Sequence, residues 1–276
     1  MRNTLSGTTR AALILAGAAT GLSCRGAAPA PPTAGATSRG PLRTLERSAL
    51  PWQPLNPARG DRSPRAANLW GDLRAPAATG FLVQFVDGFS SPPHIHNITY
   101  RGVVIEGLIH NDDPEAEETW MGPGSYWVQP AGDVHITSAR GGRGLAYIEI
   151  ESGPYLVRPP GQAFESPDAA INILADAIPW SGDAPVETVS PWGAVTPEIP
   201  AQRTMVRIAP GESCPLSSEG LLRGVVIRGT VELRNGEDRS SPLTAGSFFE
   251  WESARGTLTC ASPEPCQLYL RSSAQN

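Results

Sequence analysis

GFSSPPHIHNITYRGVVIEG, residues 88–107, ends on a segment that the chain uses twice. Arg101-Gly-Val-Val-Ile105 returns unchanged as Arg223-Gly-Val-Val-Ile227, and in both places one residue and then a glycine follow. Further out, Gly124-Ser-Tyr-Trp127 returns as Gly246-Ser-Phe-Phe249, Ala146-Tyr-Ile148 as Leu268-Tyr-Leu270, and Leu69-Trp70-Gly71 as Pro191-Trp192-Gly193. These matches share one offset of 122 residues, while Ala49-Leu-Pro-Trp52 returns slightly out of register as Ala177-Ile-Pro-Trp180. Agreement at a common offset marks a tandem repeat. The first copy spans roughly 48–160 and the second 175–273. With the connector divided between them, the domains are 48–165 and 166–276.

Each copy consists of short apolar runs broken by turn residues. Phe81–Val86, Gly102–Ile105, Gly107–His110, Tyr126–Gln129, His135–Ser138 and Leu145–Ile150 read as strands. Asp87-Gly88, Asn111–Pro114, Gly122–Gly124 and Gly141-Gly142 read as turns, as does Asn235-Gly236 in the second copy. Many short strands at regular spacing, with 29 glycines and 28 prolines, predict an all-β sandwich or small barrel. Helix is scarce: Ser166-Pro167-Asp168 either opens a short helix through Ala175 or belongs to an extended connector.

The net charge of −5 is spread without long runs, so nucleic acid is not an expected partner. The N-terminus reads as an export signal. Arg2 and Arg10 precede an apolar stretch, Ala11–Leu22, too short to span a bilayer. It closes on Gly-Leu-Ser-Cys24, which resembles a bacterial lipoprotein signal over 1–24 with Cys24 lipidated, although Gly21 stands where leucine is usual. The alternative is an ordinary secretory signal cleaved nearby. Either places the mature chain outside the cytoplasm, in the periplasm or at the cell surface, where disulfides form. A lipid on Cys24 would be its only membrane attachment. Residues 25–47, rich in proline, alanine and glycine, read as a flexible linker to that anchor.

The four histidines all fall within residues 94–135, and three of them are candidate ligands: His94, His96 and His135. Side chains two apart on a strand share a face, so His94 and His96 can reach one ion, with His135 arriving from a neighbouring strand. Imidazole is a common ligand of first-row metals. Thr137 shares the strand face of His135, and Gln129, Trp127 and Tyr147 are cavity or core residues. His110 aligns with Glu232 and is expected on the polar outer face. Glu106 shares the parity of Tyr100, but it aligns with Arg228 and a bulge at Gly102 would shift the alternation, so it is expected at the surface.

The spacing resembles the cupin superfamily. Gly88, His94, His96 and Gly107 match the first cupin motif, with Tyr100 where the motif has glutamate. Gly124, Pro130, Gly132 and His135 match the second, with Ala139 where it has asparagine. Trp52-Gln-Pro-Leu-Asn-Pro57 and Leu69-Trp-Gly-Asp72 further resemble a bacterial bicupin family catalogued as a domain of unknown function. The resemblance implies two tandem jelly-roll barrels and one divalent metal held by His94, His96 and His135. Fe(II) and Zn(II) lead, with Mn(II) and Ni(II) also compatible. Without the carboxylate, the site resembles the three-histidine centres of some cupin dioxygenases. Tyr100 could ligate as phenolate, donate a hydrogen bond as a catalytic group, or pack against the wall. Cupins also pair through sheet edges, which implies a homodimer.

The second copy lacks the ligands: Ser217, Glu219 and Thr257 stand opposite the three histidines, so it reads as structural. Cys260 and Cys266 flank a likely hairpin tip, Ala261–Pro265, and are placed to form a disulfide. Cys214 stands outside that pairing, on an expected loop. The sequence therefore predicts an exported metal-binding bicupin acting on a small organic molecule, with dioxygenase-like chemistry first. The alternatives are a metal- or ligand-sensing module without catalysis, and a purely structural barrel.

Overall fold

The computed structural model describes residues 40–192 and 201–273, so the expected signal at 1–24 with Cys24, and most of the expected linker at 25–47, lie outside it. The chain is all-β and forms two cupin barrels. The first is built on an eight-stranded sheet, beside which Ile95–His96 and Val157–Arg158 form a separate two-stranded pair. The second sets a six-stranded sheet against a five-stranded one.

The repeated Arg-Gly-Val-Val-Ile segment shows why these strands read as unbroken apolar runs. Val104 faces the interior of the first barrel, among Phe81, Tyr100, Trp127 and Ile148. Val103 and Ile105 face the other way, into a layer shared with Met205, Val225, Ile227 and Phe248 of the second barrel. Val226 returns to the second barrel's own interior with Phe249 and Trp251. A strand buried on both faces needs apolar residues on both. Its glycine is equally constrained. Gly102 pairs with Trp127 across the ladder and Gly224 with Phe249. A Cβ at either position would overlap the partner's aromatic ring.

Several expectations change. Gly102 does not bulge; the register shifts around Glu106 instead, next to Gly107, whose φ of 73° leaves room only for glycine. The four strands expected at 102–110 and 135–150 are two long ones, Tyr100–Asp112 and Ile136–Ile150, which bend at Gly107, Gly141 and Gly142 rather than breaking there. No helix forms from Ser166: the connector is extended, with Ile171–Ile173 paired to Tyr126–Gln129. The end of the expected flexible linker is a strand, because Leu42–Leu45 pairs with Phe248–Glu252 of the second barrel. The strand that precedes each barrel in sequence is thus added to the other barrel. The Asn235-Gly236 hairpin turns one residue later, on Gly236-Glu237, with Gly236 at φ 69°. Cys214 is buried within the Ser213–Ser217 strand, not on a loop. Cys260 and Cys266 are joined by a disulfide, their Cα atoms 5.5 Å apart.

At one end of the inter-barrel layer lies a buried ion cluster. Glu149 has no exposure, and its carboxylate accepts from Arg203 Nε at 2.6 Å and Arg271 Nη1 at 2.8 Å. The Tyr147 and Tyr269 hydroxyls donate to it at 2.9 and 2.8 Å. Arg271 also reaches Glu151, and Trp70 packs beneath the Arg223 and Arg271 guanidiniums. Burial alone would push the Glu149 carboxyl up; the Arg271 and Arg203 charges outweigh it and hold the group below its ordinary value of 4.5.

Two outcomes follow. Gly102→Val should lower stability by about 1–3 kcal/mol through overpacking against Trp127, read from urea denaturation. Because the folded-state value of Glu149 is depressed, its stabilisation is complete above 4.5 and lost as pH falls through the lowered value. Removing the charge while leaving the guanidiniums buried costs roughly 3–5 kcal/mol. Glu149→Gln should therefore unfold earlier than the parent at pH 7 and show a flatter dependence of midpoint on acid pH. Parallel curves for the two proteins would contradict this account.

Candidate metal centre

His94 and His135 face each other as a hydrogen-bonded antiparallel pair, each backbone N–H donating to the other's carbonyl at 3.0 Å. His96 lies two residues on, its carbonyl held by Gly132 N–H at 2.8 Å. The ring centroids stand 4.3 to 5.3 Å apart, and one ligand atom from each residue lies within 4.8 Å of the others. Nδ1–H of His94 donates to the Pro92 carbonyl and Nδ1–H of His135 to the Asp133 carbonyl, both at 3.0 Å. In each ring the carbonyl two residues back fixes the tautomer, leaving Nε2 with its lone pair.

All three imidazoles are held neutral. Burial lowers His94, and the Arg59 charge adds to it against the Pro92 carbonyl. Burial carries His96 well below its usual value, helped by His135 and His94. His135 is pushed down to about 3, by burial first and then by His94. Neutral imidazole is the metal-binding form. His96 Nε2 lies 3.2 Å from the Tyr155 hydroxyl, and its Nδ1 is buried. The residues present therefore fit a divalent metal, and the site is a metal-binding one. Among the described residues no carboxylate or thiolate joins the cluster, and the second barrel holds no comparable group.

Tyr100 sits beside the histidines, 2% exposed. Its hydroxyl donates to Asn111 Oδ1 at 2.8 Å and lies 3.4 Å from His135 Nε2. Burial raises its pKa, so without a metal it is a neutral phenol. Asn111 also accepts from Thr137 Oγ1 and donates to Gln129 Oε1, both at 2.8 Å. The site opens into a cavity of about 530 Å³ walled by Val83, Phe85, Phe89, Trp127, Ile148 and Tyr155, with Arg59 and Arg74 among its polar lining.

The expected ligands thus come together, with Thr137 and Trp127 on the same cavity. Gln129 stands behind Asn111, and Tyr147 belongs to the inter-barrel cluster. Glu106 is partly exposed and paired with Arg47 at 2.9 Å. His110 is not on an open surface: it is 2% exposed, its Nδ1 at 3.1 Å from the Thr119 carbonyl, because the segment leading to Met121 covers the outer face of its strand. Three residues of the site had no sequence signal. Asn111 reads as a turn residue because it opens Asn-Asp-Asp-Pro. Tyr155, whose ring stacks on His96 at 4.3 Å, follows an irregular Gly-Pro segment. Arg59 lies in a short 3₁₀ segment between strands.

A family model described as Domain of unknown function (DUF4437) matches residues 44–206. No curated protein matches the chain significantly. Among solved structures, a Nostoc punctiforme protein provisionally named a dioxygenase superposes at TM-score 0.62 with 15% identity, over 84% of this chain and 82% of that one. Salicylate 1,2-dioxygenase from Pseudaminobacter salicylatoxidans gives 0.55 and 13%, over 86% and 85%. Oxalate decarboxylase from Lactobacillus farciminis gives 0.54 and 10%, over 88% of each. At such identities these likenesses show the cupin fold alone.

His94→Ala, His96→Ala and His135→Ala should each abolish stoichiometric metal in elemental analysis of the folded protein. Tyr100→Phe should keep it, because its hydroxyl is committed to Asn111; loss of metal from that variant would make the phenol a ligand.

Proposed function

The chain belongs to the DUF4437 family, and from its three-histidine cavity we propose that it is an exported, metal-dependent cupin acting on a small organic molecule, with dioxygenation the reaction it suits best. The observation that carries this is a set of three neutral imidazoles, with no carboxylate among them, opening on an apolar cavity. Fe(II) held there would supply the dioxygen chemistry, whereas Zn(II) would supply only Lewis acidity. Dioxygenation places both oxygen atoms in the substrate and draws the electrons from it, so no separate reductant is needed. The dioxygenase names of two fold relatives agree with this reading.

The chain's own residues have definable parts in it. Phe85, Phe89 and Ile148 keep bulk water from the reacting atoms. The Tyr100 hydroxyl, held by Asn111, is a proton donor at a fixed position next to His135. Export and lipid attachment at Cys24 rest on the N-terminal pattern, and the Cys260–Cys266 disulfide favours an oxidising compartment.

Anaerobic reconstitution with Fe(II), followed by oxygen-electrode screening of thiols, diketones, phenols and aromatic acids, tests the activity. Substrate-dependent oxygen uptake that Tyr100→Phe slows without loss of metal is the expected result. Stoichiometric zinc in protein from its native compartment, with no uptake from any candidate after iron loading, would favour a binding or sensing role instead.

A further inference from the structure

The cavity beside the three histidines is unbalanced in charge. Arg59 and Arg74 line it with no aspartate or glutamate, in a chain whose net charge is −5. Arg47, Arg203, Arg223 and Arg271 each face a carboxylate, yet among the described residues neither Arg59 nor Arg74 makes an ion pair. Arg59 is half-buried on the segment Pro57–Arg62, which the Asn56 side chain caps. Its guanidinium carbon lies 5.5 Å from the centre of the Phe89 ring, against the cavity's aromatic wall. Arg74 is exposed, so solvent screens it more strongly.

Trp127 is 1% exposed, and its indole N–H is buried against the Tyr100 hydroxyl. Asn111 Oδ1, an acceptor on the cavity, already takes the Tyr100 and Thr137 hydroxyls. The Arg59 guanidinium, with no carboxylate facing it, calls for an occupant that brings acceptors. The remaining wall is apolar, with Phe85, Phe89, Tyr100, Trp127 and Tyr155 supplying aromatic faces that suit a flat body.

We propose that this cavity recognises an aromatic carboxylate, its ring lying against Phe85, Phe89 and Trp127 and its carboxylate paired with Arg59. The inference names a substrate class for the metal site read above and rests on that reading for its relation to catalysis. Recognition itself depends on Arg59, which makes this residue the determinant of specificity. A half-buried guanidinium facing a carboxylate forms a charge-assisted, bidentate contact that a neutral analogue cannot reproduce.

Calorimetric titration of the whole, metal-loaded chain with 2-naphthoate, its neutral analogue 2-naphthamide and the aliphatic acid octanoate tests it. The expected result is 2-naphthoate binding about tenfold or more tighter than either comparison ligand. Arg59→Gln should erase the preference over 2-naphthamide, and Arg59→Lys, which keeps the charge, should retain part of it. Equal affinity for 2-naphthoate and 2-naphthamide, octanoate binding as tightly as 2-naphthoate, no binding of 2-naphthoate, or a preference unchanged in Arg59→Gln each overturns the proposal. Elemental analysis of the same samples separates the two readings. Full metal without the preference overturns this inference alone. The preference in protein that takes up no metal overturns the metal reading and leaves this one standing.

Discussion

Glu149 has no exposure, and its charge is tolerated there only because Arg203 and Arg271 reach it from the second barrel while two tyrosine hydroxyls complete its shell. Taking such charges out of water costs several kcal/mol per ion, so the cluster gives no large advantage over apolar packing. Its effect is on position. The layer of Val103, Ile105, Val225 and Ile227 would hold the barrels together in more than one register, since apolar contact has no direction. Guanidinium and phenol donors meet one carboxylate in one arrangement, and a slip of one residue would leave a buried ion unpaired.

The strands that make this seam also make the metal site. Tyr100 and Arg101 pair with Ile150 and Glu149, so the phenol beside the histidines is one residue from the ladder position of the buried carboxylate. His135 immediately precedes the Ile136–Ile150 strand, which runs from the cavity to the seam. The bends at Gly107, Gly141 and Gly142 let one strand pair serve both ends, with Asn111 and Thr137 on the cavity and Val103 and Tyr147 on the seam. A site carried on such strands is held by the packing of the whole molecule rather than by its own loops. This accounts for a second barrel that keeps the framework and contributes no ligand.

Much of this was legible in the sequence, and the exceptions share a physical cause. The His-x-His pair and His135 could be read because strand alternation and motif spacing are local properties. The doubly buried Arg-Gly-Val-Val-Ile strands could be read because burial on both faces removes polar alternation. What could not be read depends on contacts between segments far apart in the chain. Glu149 looks like any charged residue near a strand end until Arg203 and Arg271 arrive. His110 sits on an outer face, as its alternation implies, yet a loop covers that face. Leu42–Leu45 is a strand only because the second barrel offers it an edge. Asn111 shows the reverse failure: its turn-forming neighbours are real, but the ladder continues through it to Asp112 before the turn begins.

Tyr100 marks the position that determines the electrostatics of the centre. Its hydroxyl donates to Asn111, Asn111 donates to Gln129, and the Gln129 amide and the His135 Nδ1–H both end on the Asp133 carbonyl. The circuit orients the phenol and one ligand imidazole through neutral groups alone. A carboxylate at position 100 would cancel part of a divalent ion's charge and leave the cavity near neutrality. With a phenol there an ion held by the histidines would keep its full charge, in a buried site where fields are poorly screened. The Arg59 guanidinium adds to that field. Exchange of a carboxylate for a phenol–amide pair therefore shifts the requirement for negative charge from the protein to whatever enters the cavity.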